Sequence, residues 1–119
     1  MPRRVRRNKS HEDMYKSLKE GEAGVFESYK DVFMMAACIG FKYGKRVAFE
    51  SSAEPIELDI FSGKTDLPVI NAIALHETKD FSMLLEDDKT YDKKLTIVEE
   101  YANGGMEVLQ QRLLDSTGD

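Results

Sequence analysis

A mainly helical α+β domain, with about five helices and a small two-stranded β-hairpin, is the fold this 119-residue sequence predicts. Apolar residues recur at i, i+3, i+4 and i+7 through most of the chain, the signature of helices that bury one face. Between Arg46 and Phe61 the period shortens to two, the spacing of a half-buried strand. Short polar and glycine-containing segments separate these stretches and punctuate the elements.

Taken in order, Ser10 with Asp13 three residues on forms a capping pair, and Met14, Tyr15 and Leu18 then fall at helical spacing before Gly21. Ser28 with Asp31 repeats that logic for a second helix, in which Tyr29, Val32, Phe33 and Ala36 share a face. The run from Val32 to Ile39 is apolar on nearly every side, so this helix is expected at the centre of the core, with Gly40 taking the left-handed stop conformation and Phe41 folding back. Val47 and Phe49, then Ile56, Leu58 and Ile60, define two strands joined by Glu50 to Pro55. Asp66 as N-cap, Pro68 in the first turn and the face of Val69, Ile70, Ile73 and Ala74 mark a third helix to about Thr78. Phe81 to Glu86 adds a helical turn or two before the charged loop Asp87 to Lys89. From Tyr91, residues Leu95, Val98, Tyr101 and Ala102 are helically spaced, and Met106, Leu109 and Leu113 resume the pattern after Asn103, Gly104 and Gly105. Each interior glycine costs about 1 kcal/mol relative to alanine, so the pair predicts a break or kink between two helices. Small residues there also suit a tight helix crossing, which is favoured, or an interaction surface at Asn103, Gly104 and Gly105. The tail from Asp115 is expected to fray.

The charge is distributed unevenly. Arg3, Arg4, Arg6, Arg7 and Lys9 place five positive charges in residues 1–9, an N-terminal arm on a single globular domain at 10–119. Of 17 lysines and arginines, 12 then remain against 22 acidic residues, so the body carries a net charge of minus 10. Such an arm can reach phosphate or an acidic surface, whereas the body repels nucleic acid at long range. A chain of this length buries roughly 65% of its extended surface around one core. The single Cys38 can form no internal disulfide, and with no apolar leader and no apolar run near ~20 residues the chain is expected in the cytoplasm and not in a membrane.

No complete catalytic motif emerges, and neither a metal site nor a cofactor is expected. Cys38 with His11 or His76 would make a nucleophile and base, but Cys38 lies in the most apolar stretch and reads as a buried structural thiol. Asp66, Glu77 and Lys79 loosely match the acid and Glu-x-Lys pattern of metal-dependent nucleases. That chemistry wants the pair on a strand, while on a helix i and i+2 face apart. Glu57 and Asp59 share a strand face and read as its solvated side. Lys42, Lys45 and Arg46 form a small basic turn without Walker spacing. Arg4, Val5 and Arg6 alternate as in a ribbon-helix-helix DNA-binding dimer, but one apolar residue is too few to bury a ribbon.

The segments FESYKDVFMMAACIGFKYG from Phe26 to Gly44 and YANGGMEVL from Tyr101 to Leu109, with SAEPIELDIF from Ser52 to Phe61 between them, resemble a family of small proteins associated with bacterial and archaeal Dnd systems. Those systems replace a phosphate oxygen of DNA with sulfur and police unmodified DNA. The resemblance brings no catalytic residues. It implies a non-enzymatic accessory or adaptor protein of a phosphorothioation and phage-defence system, with proteins of DNA modification and restriction as partners. Direct DNA binding or regulation is the alternative, through Arg3, Arg4, Arg6, Arg7 and Lys9 aided by Lys42, Lys45 and Arg46, and a metal-dependent nuclease is a further one. Six methionines leave room for an apolar homodimer patch.

Overall fold

The structure, a computed structural model, describes residues 3–20 and 26–117. The stop expected at Gly21 and the last two residues of the tail lie outside them. Four α-helices follow one another: α1 (Glu12–Glu20), α2 (Tyr29–Lys42), α3 (Asp66–Thr78) and α4 (Asp88–Thr117), with short 3-10 turns at Lys9–His11, Leu58–Ile60 and Phe81–Leu84. At about 1.5 Å per residue the 30-residue α4 spans roughly 45 Å, close to the 47 Å long axis of the molecule. It is the spine on which α2 packs most extensively and α3 less so.

Local signals place the start of α2 as expected and that of α3 to within one residue. Ser28 caps α2, its hydroxyl accepting from the Asp31 N–H at 3.2 Å. The start of α3 is tied by Ser62, whose N–H donates to the Asp66 carboxylate at 2.8 Å while its own carbonyl accepts from the Asp66 and Leu67 N–H groups. Asp66 is therefore the first helical residue, after Thr65. Its carboxylate also meets the Lys30 ammonium at 2.7 Å, joining α3 to α2 and raising the Lys30 pKa through that bond. A 3-10 turn capped by Asn8, not a Ser10 cap, leads into α1.

Three expectations about the course of the backbone are corrected. The first is the stop at Gly40: α2 runs on to Lys42, and the left-handed residue is Gly44, at φ +64°. Lys45 N–H donates to Gly40 O at 2.8 Å and Gly44 N–H to Phe41 O at 3.2 Å, the paired bonds of a Schellman ending. Gly40 serves another purpose. A methyl on it would lie 1.9 Å from the Tyr101 carbonyl oxygen of α4. The second correction follows from the same contact, because α4 passes through Gly104 and Gly105 without a break. A methyl on Gly105 would meet Ala36 O at 1.8 Å, and one on Gly104 would meet Lys45 O at 1.9 Å. Gly40 and Gly105 bring α2 and α4 backbone to backbone, Gly104 brings α4 against the turn at Lys45, and that packing outweighs the poor helix propensity of glycine. Among the described residues four α-helices result instead of about five, and the last extends through Asp115 to Thr117.

The third correction is the hairpin. Among the described residues there is no β-strand and only two isolated antiparallel bridges, Val5 with Ile56 and Asn8 with Ser52. Val5 and Ile56 exchange both backbone hydrogen bonds at 2.8 Å, and Lys9 N–H and Ala53 N–H donate to Ser51 O and Arg7 O. Val47 N–H instead donates to Glu100 O, and Asn103 of α4 donates its amide to Val47 O at 2.9 Å. The two alternating runs thus find different partners, and Leu58–Ile60 curls into a 3-10 turn. Alternation reports burial on one side, and here extended chain lies against a helix and against the N-terminal segment without forming a sheet.

The core joins Val5, Tyr15, Val32, Phe33, Ala36 and Ala37 to Ile70, Ile73 and Ala74 of α3 and to Leu95, Val98, Ala102 and Met106 of α4. Cys38 is exposed on α2, contrary to the buried thiol expected, because the buried face of that helix runs through Val32, Phe33, Ala36, Ala37 and Gly40. Nearby atoms still desolvate its thiol enough to raise the pKa.

Candidate functional site

Three of the four N-terminal arginines, Arg3, Arg6 and Arg7, are tied to the body. Arg3 makes a two-pronged contact with Glu99 at 2.7 and 3.0 Å, approaches Asp92 at 2.8 Å and donates to Thr96. Glu99 is 3% exposed. Burial pushes its carboxyl pKa up, against the opposing pull of Arg3 and of the Arg6 N–H that donates to it. The Arg6 side chain reaches Glu50 O and stacks over Phe49. Arg7 has no exposed side-chain surface. Its guanidinium lies 4.7 Å from the Tyr15 ring and 4.5 Å from the Tyr29 ring, pairs with Glu12 at 2.6 Å and donates to Glu54 O. Arg4 is exposed, 3.7 Å from Glu57, and Lys9 is exposed. Sequence alone could not foresee this, since the acceptors lie up to 96 residues away along the chain.

The basic turn is similarly occupied. Arg46 bridges Glu100 at 2.7 Å and Glu77 at 2.8 Å, Lys45 pairs with Glu107 at 3.2 Å, and Lys42 is exposed, its ammonium over the Tyr43 ring. Glu77 also accepts the Tyr101 hydroxyl proton at 2.5 Å. That bond first, and Arg46 second, hold the Glu77 carboxyl below its ordinary range. Burial, then the Glu77 contact, leave the Tyr101 phenol pushed up to about 12. Asp66 and Glu77 stand at opposite ends of α3, eleven residues and roughly 16 Å apart along the helix, and Lys79 is its left-handed C-cap at φ 58°. These three side chains do not converge. Among the described residues no group of three His, Cys, Asp or Glu side chains could hold a metal ion.

Asn103, Gly104 and Gly105 are buried, Gly105 against α2, Gly104 against Lys45 beyond its end, and Asn103 against the N-terminal segment and the connecting loop. Asn103 accepts from the Asn8 amide at 2.8 Å while donating to Val47 O, so one side chain ties the N-terminal segment, the connecting loop and α4 together. His11 is also buried, at 6% exposure, and its Nδ1 has no hydrogen-bond partner. Burial lowers its pKa from 6.5 despite the field of Glu107. The folded state therefore binds this proton less readily than the unfolded state, and stability is lost as pH falls below about 6.5. His11→Phe is expected to remove that component, so denaturant titrations should show the stability of the wild type relative to the variant declining from pH 7 to pH 5.

Two features escaped the sequence reading. Lys94 is 1% exposed, and its ammonium donates to Asn71 Oδ1 at 2.7 Å, Met83 O at 2.9 Å and Leu85 O at 3.1 Å. Burial lowers its pKa, but all three of its protons are engaged, which suits a structural cation and not a nucleophile. The segment it holds carries the other feature: Phe81, Leu84 and Leu85 are 77%, 47% and 55% exposed. The apolar residues Phe81, Met83, Leu84 and Leu85, bounded by Asp80 on one side and Glu86, Asp87 and Asp88 on the other, are the available signal.

This is a helical protein whose buried charges serve its own scaffold and whose apolar side chains project on a braced turn. The chain belongs to the family described as DNA sulphur modification system-associated protein 4, whose model matches residues 4–119. No curated protein and no solved structure matches it. No described helix is long and apolar enough to cross a membrane.

Proposed function

We propose that the chain is a non-enzymatic accessory protein of a DNA sulfur modification system and acts by binding other proteins of that system. The observation that carries this reading is the internal use of its basic residues. Arg3, Arg6, Arg7 and Arg46 spend their guanidinium groups on acidic or carbonyl partners within the fold. Of the eight basic residues that could serve DNA, Lys45 is exposed but pairs with Glu107, and Arg4, Lys9 and Lys42 remain most available, on a chain of net charge minus 5. Three such charges give weak, strongly salt-dependent contact with phosphate and no base selectivity.

Co-purification from nuclease-treated extract of cells carrying the system tests the proposal. The accessory role predicts that other components of the system accompany the tagged chain and survive removal of DNA. A solitary chain that instead binds duplex DNA with a salt slope near minus 3, reduced by Arg4→Ala with Lys9→Ala, would establish direct DNA binding in its place.

A further inference from the structure

The geometry points to the knuckle at residues 80–88 as the surface by which this protein docks on a partner protein that presents an apolar pocket rimmed by lysine or arginine. This rests on the accessory reading above and gives that reading a surface.

The knuckle is a preformed ridge. Asp80 accepts from the Ser82 N–H at 2.9 Å, and Thr78 Oγ1 accepts from the Asp80 N–H at 3.2 Å. Met83, 3% exposed, anchors the turn in the core, and the Lys94 ammonium holds the Met83 and Leu85 carbonyls on either side of Leu84. Asp87 accepts from the Thr90 N–H at 2.9 Å where the ridge enters α4. The backbone is thus fixed from both ends while Phe81, Leu84 and Leu85 point outward, so little conformational entropy is lost when they are covered. Beside Phe81 lies a shallow apolar groove of about 400 Å³ lined by Ala72, Leu75, His76 and Lys79. One exposed aromatic side chain, Phe81, and two leucines thus stand on a rigid element next to an apolar groove, and a large apolar side chain that fills a partner's pocket anchors an interface.

Charge selects the partner. Asp80 precedes and Glu86, Asp87 and Asp88 follow the three apolar side chains along the chain, against Lys79 and Lys89 at the two ends and Lys93 beside Asp80. Backbone hydrogen bonds from Ser82 and Thr90 hold the Asp80 and Asp87 carboxyls below their usual range, so both are ionised at neutral pH. A second copy would bring like charge to like charge, and DNA would be repelled. A cationic rim around an apolar centre complements both the charge and the apolar ridge.

The test measures binding of the full-length chain to each purified protein of the modification system by interferometry, with Phe81→Ala, the Leu84→Ser/Leu85→Ser pair and Glu86→Lys as variants. These side chains are exposed, and an unchanged Tm verifies that the fold persists. At least tenfold weaker binding is expected for Phe81→Ala, and about threefold weaker binding with a flatter salt dependence for Glu86→Lys. If a component binds wild type and Phe81→Ala equally, the knuckle is not the docking surface, although the accessory role stands. If none binds wild type, the accessory role fails and this inference with it. Self-association seen by light scattering and abolished by Phe81→Ala would overturn the choice of partner.

Discussion

Gly105→Ala is expected to destabilise the protein by about 3 kcal/mol, although alanine is the better helix former by about 1 kcal/mol. The added methyl would lie 1.8 Å from Ala36 O and 2.9 Å from Gly40 N, where ordinary contact begins near 3.4 Å. Both neighbours are backbone atoms inside a helix, so no side chain can turn aside, and α2 and α4 must separate. Separation would also loosen the contacts of Gly40 with Tyr101 and of Ala36 and Ala37 within the core. Chemical denaturation reads the loss directly. Gly63→Ala is the control, since nothing lies within 4 Å of its added methyl, and it should change stability by less than about 0.5 kcal/mol. Stability of Gly105→Ala within 1 kcal/mol of wild type would mean that the helices do not cross this closely.

Arg7→Met is expected to cost about 3 kcal/mol, or roughly 12 °C in Tm for a domain of this size. Methionine fills part of the slot between Tyr15 and Tyr29 but offers the rings no cation and leaves Glu12 and Glu54 O without their donor. Lysine should rescue little, because its single ammonium cannot stack flat between two rings while also reaching both acceptors. The consequence reaches beyond stability. Deleting residues 1–9 removes Val5 and Arg7 from the core along with the positive charge, so any loss of DNA association would be confounded with unfolding. Arg4→Ala with Lys9→Ala is the cleaner probe, since both side chains are exposed. A Tm for Arg7→Met within 3 °C of wild type would show that the guanidinium is not a structural pin.

The candidate interface was read from charge, and charge along the chain does not say where a side chain will point. The arginines at 3, 6 and 7 looked like a reaching element because their partners, Glu99, Glu50 and Glu12 with Glu54, are mostly remote in sequence. The knuckle went unnoticed because Phe81, Leu84 and Leu85 read as an ordinary helical turn until Lys94 and Met83 are seen to turn them outward.

The features legible along the chain are local. The Ser28 cap, the limits of α3 from Asp66 to Thr78, and the apolar stripe of α4 depend on hydrogen bonds and spacings within a few residues. Tertiary structure decided whether Gly104 and Gly105 break a helix or let two helices touch, because intrinsic propensity penalises the glycines by only about 1 kcal/mol each and close packing can exceed that. It decided equally that the alternating runs at 47–49 and 56–60 answer to α4 and to the N-terminal segment, and not to each other. A strand takes its identity from its partner, and here the partners lie some fifty residues away in either direction.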